Sequence, residues 1–455
     1  MPETTNTQLT TSQTVSPSAY RLDTVDLETH VIQAGERKIF DIKNLVTDFT
    51  ITESIYSLSL QLSMNVKENT NLFEFAKLTG QEKIRVRLAR TAVGSKDEEN
   101  IDLTFIVTEY PVFGRFDSHT QVYSIRGISE FAFVGKLKSI SKSIKGPVTE
   151  LIQKILVEDL NVNVEDIFLS ESKSDLIKAV IPYMSPVDAV NWLLRRAFDD
   201  NDKPFYCYQT FSGQIRIESQ SDFAEKENYR TFRDGKFYTN DVQGKDDYQE
   251  KLERILSIAS DLKMSKFVSS LGGAFGSTTV SLDISNKTVA YDSFNYSNDF
   301  KRDGTLNEGK TLSNNFIFEE QKNNLGRYSL ARIFYIPTNS SNLDSDKNIG
   351  YNSPTQFGSI NRVQSAVENL DTITHDMTVF GDFNLNPGKP VEIILPKSID
   401  PGANVSNTQS TVDKGEDLLL SGRYLLSAVV HKFAEQYYCS VRVKTDTLKK
   451  DFITS

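Results

Sequence analysis

The chain has 455 residues, enough for about three compact units at roughly 150 residues each. Its 51 Lys and Arg against 61 Asp and Glu give a net charge of −10, which excludes a protein whose main work is coating nucleic-acid phosphates. Hydrophobic residues at 38% and charged residues at 25% are ordinary for a globular protein, and the two cysteines, Cys207 and Cys439, lie too far apart in sequence for a disulfide framework or a CxxC metal site.

Residues 1–28 open with MPETTNTQLTTSQTVSPS, rich in Thr, Ser, Gln and Pro, and are expected to form a flexible arm, because such a composition does not repay its ordering entropy. No basic stretch followed by an apolar one occurs there, so no secretory leader is expected. Leu418 to Val430, the most apolar stretch near the C-terminus, is broken by Ser421, Gly422 and Arg423, so no membrane anchor is expected either. Over 29–129 the pattern turns to period two. Leu58, Leu60, Leu62, Met64 and Val66 alternate with Ser57, Ser59, Gln61, Ser63 and Asn65, giving a strand with one apolar face. Ile84, Val86 and Leu88 alternate likewise after the turn Thr79-Gly80, as do Leu103, Phe105 and Val107 after a polar loop, and Asn71 to Leu78 has the cap and spacing of a short helix. A first β-sandwich or barrel is predicted.

Helical spacing takes over in 130–222. Val148, Leu151, Ile152, Ile155 and Leu156 form one stripe after Gly146-Pro147, and Val187, Val190, Leu193, Leu194 and Ala197 form another after Ser185-Pro186, around Asn191-Trp192. The strands PFYCYQT and QIRIES, joined by Phe211-Ser212-Gly213, complete an inserted α/β domain. Residues 223–319 are charged and poorly periodic; they are expected to be an irregular linker with a helix from Tyr248 to Ile258 and a hairpin from LGGAFGSTTVSLDI and KTVAYDSF. Over 320–455 a helix from Ile360 to Leu370 precedes strand patterns in DTITHDMTVFGDFNLNPGKPVEIILP and GRYLLSAVVHKFAEQYYCSVRVKTD, a second β unit. LTGQEKIRVRL (Leu78 to Leu88) and LNPGKPVEIIL (Leu385 to Leu395) echo each other with a one-residue offset after the glycine, which reads as two copies of a β module in one chain. The expected class is α+β and β-dominated, with two β-barrel or sandwich domains and an inserted α/β domain.

Chemistry is sparse in this sequence, and no catalytic, cofactor or metal site is expected. His30, His119, His375 and His431 lack the HExxH or HxH spacings of metal ligands. His375 and Asp376 are strand neighbours that point to opposite faces, and His431, ahead of an amphipathic strand, is expected to pack. Gly127 to Phe131 (GISEF) lacks the closing glycine of a nucleophile elbow, Leu271 to Thr278 lacks the lysine of a phosphate loop, and Cys207 among aromatics reads as a small buried apolar residue. Asp199-Asp200 and Glu319-Glu320 are pairs that 61 acidic residues produce by chance. Lys136, Lys138, Lys142 and Lys145 read as an exposed loop or a contact with an acidic partner.

Several segments together resemble the baseplate hub proteins of contractile-tailed, T-even-like bacteriophages, a family related to the hub part of type VI secretion spike proteins. They are Ile51 to Val86, YSIRGISE, Ser141 to Leu156, Ile181 to Ala197 with FYCYQTFSGQIRIES, and, near the end, VFGDFNLNPGKPVEIILP and SGRYLLSAVVHKFAEQYY. Residues 223–315 and the arm match no pattern of the family. The resemblance implies two tail-tube-like domains per chain and a homotrimer whose six domains adapt a hexameric tail-tube ring to a trimeric central spike. It also implies contact with other baseplate proteins, DNA only passing through the channel, residence in the virion tail after assembly in the host cytoplasm, and no enzymatic activity. Carried over residue by residue, it marks Trp192 and Gly388 as packing and register positions. The alternatives left open are a tail-associated cell-wall hydrolase with a cleft in 223–315 and a host-receptor-binding tail protein.

Overall fold

A computed structural model of the chain describes residues 18–33, 35–91, 98–117, 119–170, 176–234, 247–262, 266–283, 287–310, 332–338, 354–397 and 416–450. The first module comprises β1 (Arg21–Gln33), β2 (Glu36–Asp41), β3 (Val46–Ser54), β4 (Gln61–Glu68), α1 (Leu72–Phe75), β5 (Lys83–Thr91), β6 (Glu98–Glu109), β7 (Phe113–Arg115) and β8 (Gln121–Ser129). Period-two alternation becomes burial here: Leu62, Met64, Val66, Ile84, Val86 and Leu88 are buried, while Gln61, Ser63 and Arg85 are exposed. The arm expected over 1–28 is corrected at its end. β1 starts at Arg21, because Val25 and Leu27 face Val86 and Ile84 of β5 and are buried, which repays the cost of ordering. Residues 1–17 lie outside the described residues.

An α/β part follows, with α2 (Glu130–Leu137), β9 (Ser143–Pro147), α3 (Val148–Glu158), β10 (Ile167–Leu169), β11 (Leu176–Val180), α4 (Pro186–Leu194), β12 (Phe205–Gln209), β13 (Ile215–Ser219) and α5 (Gln220–Glu225). The two apolar stripes of α3 and α4 pack into one core with Phe205, Ile215 and Ile217. Pro186 starts α4 and the Ser185 hydroxyl accepts from the Asp188 N–H at 3.1 Å, which fixes where that helix begins.

The remainder holds β14 (Thr231–Asp234), α6 (Asp247–Glu253), β15 (Arg254–Leu262), α7 (Lys266–Gly272), β16 (Gly276–Asp283), β17 (Thr288–Asn295), α8 (Tyr296–Asp299), β18 (Ile333–Thr338), α9 (Pro354–Asn369), β19 (Ile373–Phe380), β20 (Pro390–Ile394), β21 (Gly422–Phe433) and β22 (Tyr437–Thr445). Two expectations are corrected. The helix drawn from Tyr248 to Ile258 ends at Glu253, and the residues after it form β15, which pairs with β19 from Ile255 to Leu262. The stretch 223–319 is therefore more than a linker and hairpin: it contributes β14 and β15 to the second module, alongside the hairpin of β16 and β17, which lies beside β18 and packs on α9.

The chain is β-dominated, and the second module closes on itself as a six-stranded barrel. Leaving aside the hairpin strand β2 and the short β7, the first module is ordered β1-β5-β6-β8-β4-β3 and the second β14-β20-β21-β22-β19-β15. In both, the strands numbered along the chain stand in the order first, fourth, fifth, sixth, third, second. The last five are antiparallel in each module.

Register makes the repeat closer than strand order does. The second and third strands slip between Val46 and Asp48 in one module and between Ile255 and Ser257 in the other. The fifth and sixth slip between Val107 and Glu109 and between Leu426 and Ala428. A bulge adds a residue to one strand at a defined place, so two bulges shared in position are a strong mark of common architecture. The turn before the fourth strand also matches. Gln81 N–H donates to Val107 O at 2.8 Å and Val107 N–H to Glu82 O at 2.8 Å, while Gly388 N–H donates to Leu426 O at 2.9 Å and Leu426 N–H to Lys389 O at 3.0 Å. Gln81 and Gly388 both have a left-handed backbone, φ 71° and 78°, so the structural repeat equates Gly388 with Gln81, as the end-to-end comparison of Leu78–Leu88 with Leu385–Leu395 sets them. The modules differ in their first strand: β1 is antiparallel to β5, whereas β14 is parallel to β20.

Candidate functional site

The modules join where β3, paired with β4 on one edge, pairs antiparallel with β21 on the other, from Ser54 opposite Ala428 to Phe49 opposite Phe433. The joint is a seam between the second strand of one module and the fifth strand of the other. It is held by apolar stacking, with Phe49 on Phe433 at 4.6 Å between centroids and Phe433 on Tyr437 at 4.4 Å. Each such pair contributes about 0.5–1.5 kcal/mol beyond burial.

A polar knot is buried inside that seam. His431 Nε2 lies 2.9 Å from Glu53 Oε1 and its Nδ1 lies 2.7 Å from the Tyr437 hydroxyl, and both Glu53 and His431 are buried. The loop between β12 and β13 of the α/β part supplies the third component: Phe211 stacks on the His431 ring at 4.0 Å, and its N–H donates to Glu53 Oε2 at 2.6 Å. Front module, rear module and insert thus meet at one carboxylate. Burial pushes the Glu53 carboxyl up, with His431 and the Phe211 N–H acting against it. Burial opposes the charge on His431, but the neighbouring Cys439 and Glu53 outweigh it and hold the imidazole at about 10.

A folded-state value above the unfolded one, about 6.5 for histidine, means stability that is fully present below pH 6.5 and lost as the pH rises toward 10. Thermal unfolding of the wild type is therefore expected to fall more steeply between pH 6.5 and 9.5 than that of His431→Gln; parallel curves would contradict a charged histidine in the seam.

A second buried cluster crosses the same boundary. Asp382, between β19 and β20, accepts from Arg230 at 2.8 Å, from the Tyr229 hydroxyl at 2.6 Å, and from Arg90 of β5 at 3.4 Å. Burial alone raises a carboxyl, yet Arg230, Tyr229 and Arg90 hold Asp382 below its ordinary value.

The residues singled out from sequence fall at separate places. His30 Nε2 is 3.1 Å from Gly80 O, His119 is exposed, and His375 meets Ser260 Oγ and Leu420 O, with Asp376 on the other face paired to Arg442. Cys207 is buried in β12 and burial pushes its thiol up, while Cys439 faces His431 and Tyr437 at 3.5 Å. Lys142 is paired with Glu158 and Asp159, and Asp199 accepts turn N–H groups from Asn201 and Lys203. Ser129 of the GISEF motif is buried and donates to Gln209. Trp192 is half-buried at the rim of the insert core, beneath the Arg196 guanidinium at 3.9 Å. Gly388 is pressed against Tyr208 and Phe223. Glu319-Glu320 lies outside the described residues. Among the described residues no group of three or more His, Cys, Asp or Glu is placed to hold a metal ion, and no helix is long and apolar enough to cross a membrane.

Glu53, Phe211, Arg90 and Asp382 escaped the sequence reading. Glu53 alone left a signal: Phe49, Ile51 and Glu53 share one face by period two, so a carboxylate continues a buried stripe.

No family model matches the chain, and no curated protein matches it. Among solved structures it is similar to the 43 kDa tail protein of prophage MuSo2 from Shewanella oneidensis, with 11% identity, 93% of this chain and 98% of that one covered, and TM-score 0.49. It is similar to a tail protein from Neisseria meningitidis, with 11% identity, 94% and 97% covered, and TM-score 0.48. It is also similar to an E. coli component of the type VI secretion system, with 8% identity, 90% and 76% covered, and TM-score 0.39. The structural neighbours of the chain are phage tail and type VI secretion proteins.

Proposed function

We propose that the chain is a non-enzymatic structural protein of a contractile tail, a baseplate hub in which three copies close into a ring of six β modules. One observation carries the reading: a single chain holds two modules of the same strand order and the same bulges, already joined by a seam that is not self-complementary. A contact between unlike faces repeats, and it ends only as a closed ring or an open helix. Three copies, the number implied by the resemblance of Ile51 to Val86 and the later segments to hub proteins, give threefold symmetry by chain and near-sixfold symmetry by module. Such a ring presents six similar edges to a hexameric tail tube and three identical ones to a central spike, with the α/β part on its outside toward other baseplate proteins. A net charge of −10 favours passage of DNA through the channel over its retention. The location that follows is the virion tail, after assembly in the host cytoplasm. Native mass spectrometry of the purified chain is expected to give a three-chain species. A persistent monomer or dimer, or clearing of a peptidoglycan suspension by the pure protein, would count against the hub.

A further inference from the structure

We infer that copies of the chain join through the open edge of β15 on one copy and the open edge of the segment from Glu109 to Arg115, which includes β7, on the next. The pairing has the register of the internal β3–β21 seam. This assignment rests on the proposed ring and names the surfaces that close it.

The internal seam is the template. β3 uses one edge for β4 and the other for β21. Its counterpart in the second module is β15, which uses one edge for β19; on the other edge β14 covers only Arg254 and Ile255, and among the described residues no strand pairs with Leu256 to Leu262 there. The counterpart of the seam half of β21 is found through the shared bulge. Leu426 and Ala428 correspond to Val107 and Glu109, so Ala428 to Phe433 correspond to Glu109 to Gly114. That segment pairs with β8 on one side, and among the described residues β7 has no strand on the other. Both halves of a second seam are thus present in each chain, one in each module, and among the described residues neither has a partner strand. An uncovered strand edge is a template for another strand.

Side chains at both edges fit burial. Val112 and Phe113 are 56% and 50% exposed, and Leu256 and Leu262 are 41% and 40% exposed. Ser124 N–H donates to Val112 O at 2.9 Å, so Val112 turns its backbone groups toward β8, and by strand alternation Pro111, Phe113 and Arg115 turn theirs to the open edge. Pro111 offers only a carbonyl there, which leaves Phe113 to make the paired bonds. Carrying the internal register across sets Val112 opposite Ser260 and Phe113 opposite Ala259, as His431 stands opposite Ile51 and Lys432 opposite Thr50. The contact is heterologous, so it generates a ring or an open helix and not an isolated pair, and the proposed ring is the closed case.

The test is the double variant Val112→Cys with Ser260→Cys. Opposed strand residues lie at disulfide distance, roughly 4.5–5.5 Å between Cα atoms, and the native Cys207 and Cys439 are buried. Under mild oxidation a non-reducing gel is expected to show a ladder of two-chain and three-chain species that neither single variant gives. In parallel, the Phe113 and Ala259 amides of the wild-type assembly are expected to exchange hydrogen ~10-fold or more slowly than in dissociated chains. A three-chain wild type with no ladder and no slowing at these amides overturns the seam and leaves the hub intact. A wild type that stays monomeric overturns both. If the double variant does not fold, the amide exchange decides alone.

Discussion

Replacing Asp382 by alanine is expected to destabilise the folded chain by about 3–5 kcal/mol, the range for removing one partner from a buried charge cluster. Its carboxylate answers two guanidinium groups, and the Arg90 and Asp382 side chains are only 4% and 7% exposed. Arg90 belongs to the first module and Asp382 to the second, so the loss falls on the boundary between them. Asp382→Asn keeps an acceptor for Tyr229 without the charge and is expected to cost less. Arg90→Met placed in the Asp382→Ala background is expected to recover part of the loss, because it removes the charge left without that carboxylate. Urea unfolding of the four chains measures this, and an unchanged midpoint for Asp382→Ala would contradict the cluster's role. The pH dependence follows from the direction of the Asp382 shift. A folded-state value below the ordinary one, about 3.9, gives stability that is present above pH 3.9 and lost as the pH falls through the folded value. Asp382→Ala is expected to lack that acid-side loss.

Gly388→Ala is the second large effect, about 2–5 kcal/mol. The left-handed backbone at φ 78° costs a residue with a side chain about 1–2 kcal/mol, and overpacking adds about 1–3 kcal/mol. A methyl group there meets the Tyr208 hydroxyl directly, with Tyr208 Cζ at 2.9 Å and Phe223 Cε1 at 3.0 Å. The two parts separate in a double-mutant cycle. Tyr208→Phe removes the clashing oxygen, so Gly388→Ala should cost at least about 1 kcal/mol less in that background, while the backbone part persists. An equal cost in both backgrounds would show that the insert does not press on this turn. Gln81, at the equivalent turn of the first module, already carries a side chain at φ 71°, so substitution there is expected to be mild.

The contrast between Gly388 and Gln81 shows how much of the fold was legible in the sequence. Alternation exposed β4, β5 and β6 because each buries one face and wets the other. The repeat was visible in LTGQEKIRVRL and LNPGKPVEIIL: laid end to end they set Gly388 opposite Gln81, the pair the structure equates, and the glycines themselves are offset by one residue because the left-handed position is filled by Gln81 in one copy. β15 was invisible for a physical reason: in RILSIASDL only Ile255 is buried and Ile258 half-buried, so the strand carries little alternation to find. The preceding helical turn then extended the expected helix into it, as far as Ile258. The seam itself joins residues 378 apart in sequence, Glu53 and His431, and no local pattern reports such a contact.

The central claim is that one chain supplies two equivalent modules to a closed ring. Class-averaged electron micrographs of the purified particle, viewed down its axis and aligned without imposed symmetry, test it most directly. A hollow ring with six similar densities and three outer projections, one for each inserted α/β part, is the expected image. Isolated two-lobed particles, or open helical arrays in place of a ring, would contradict it.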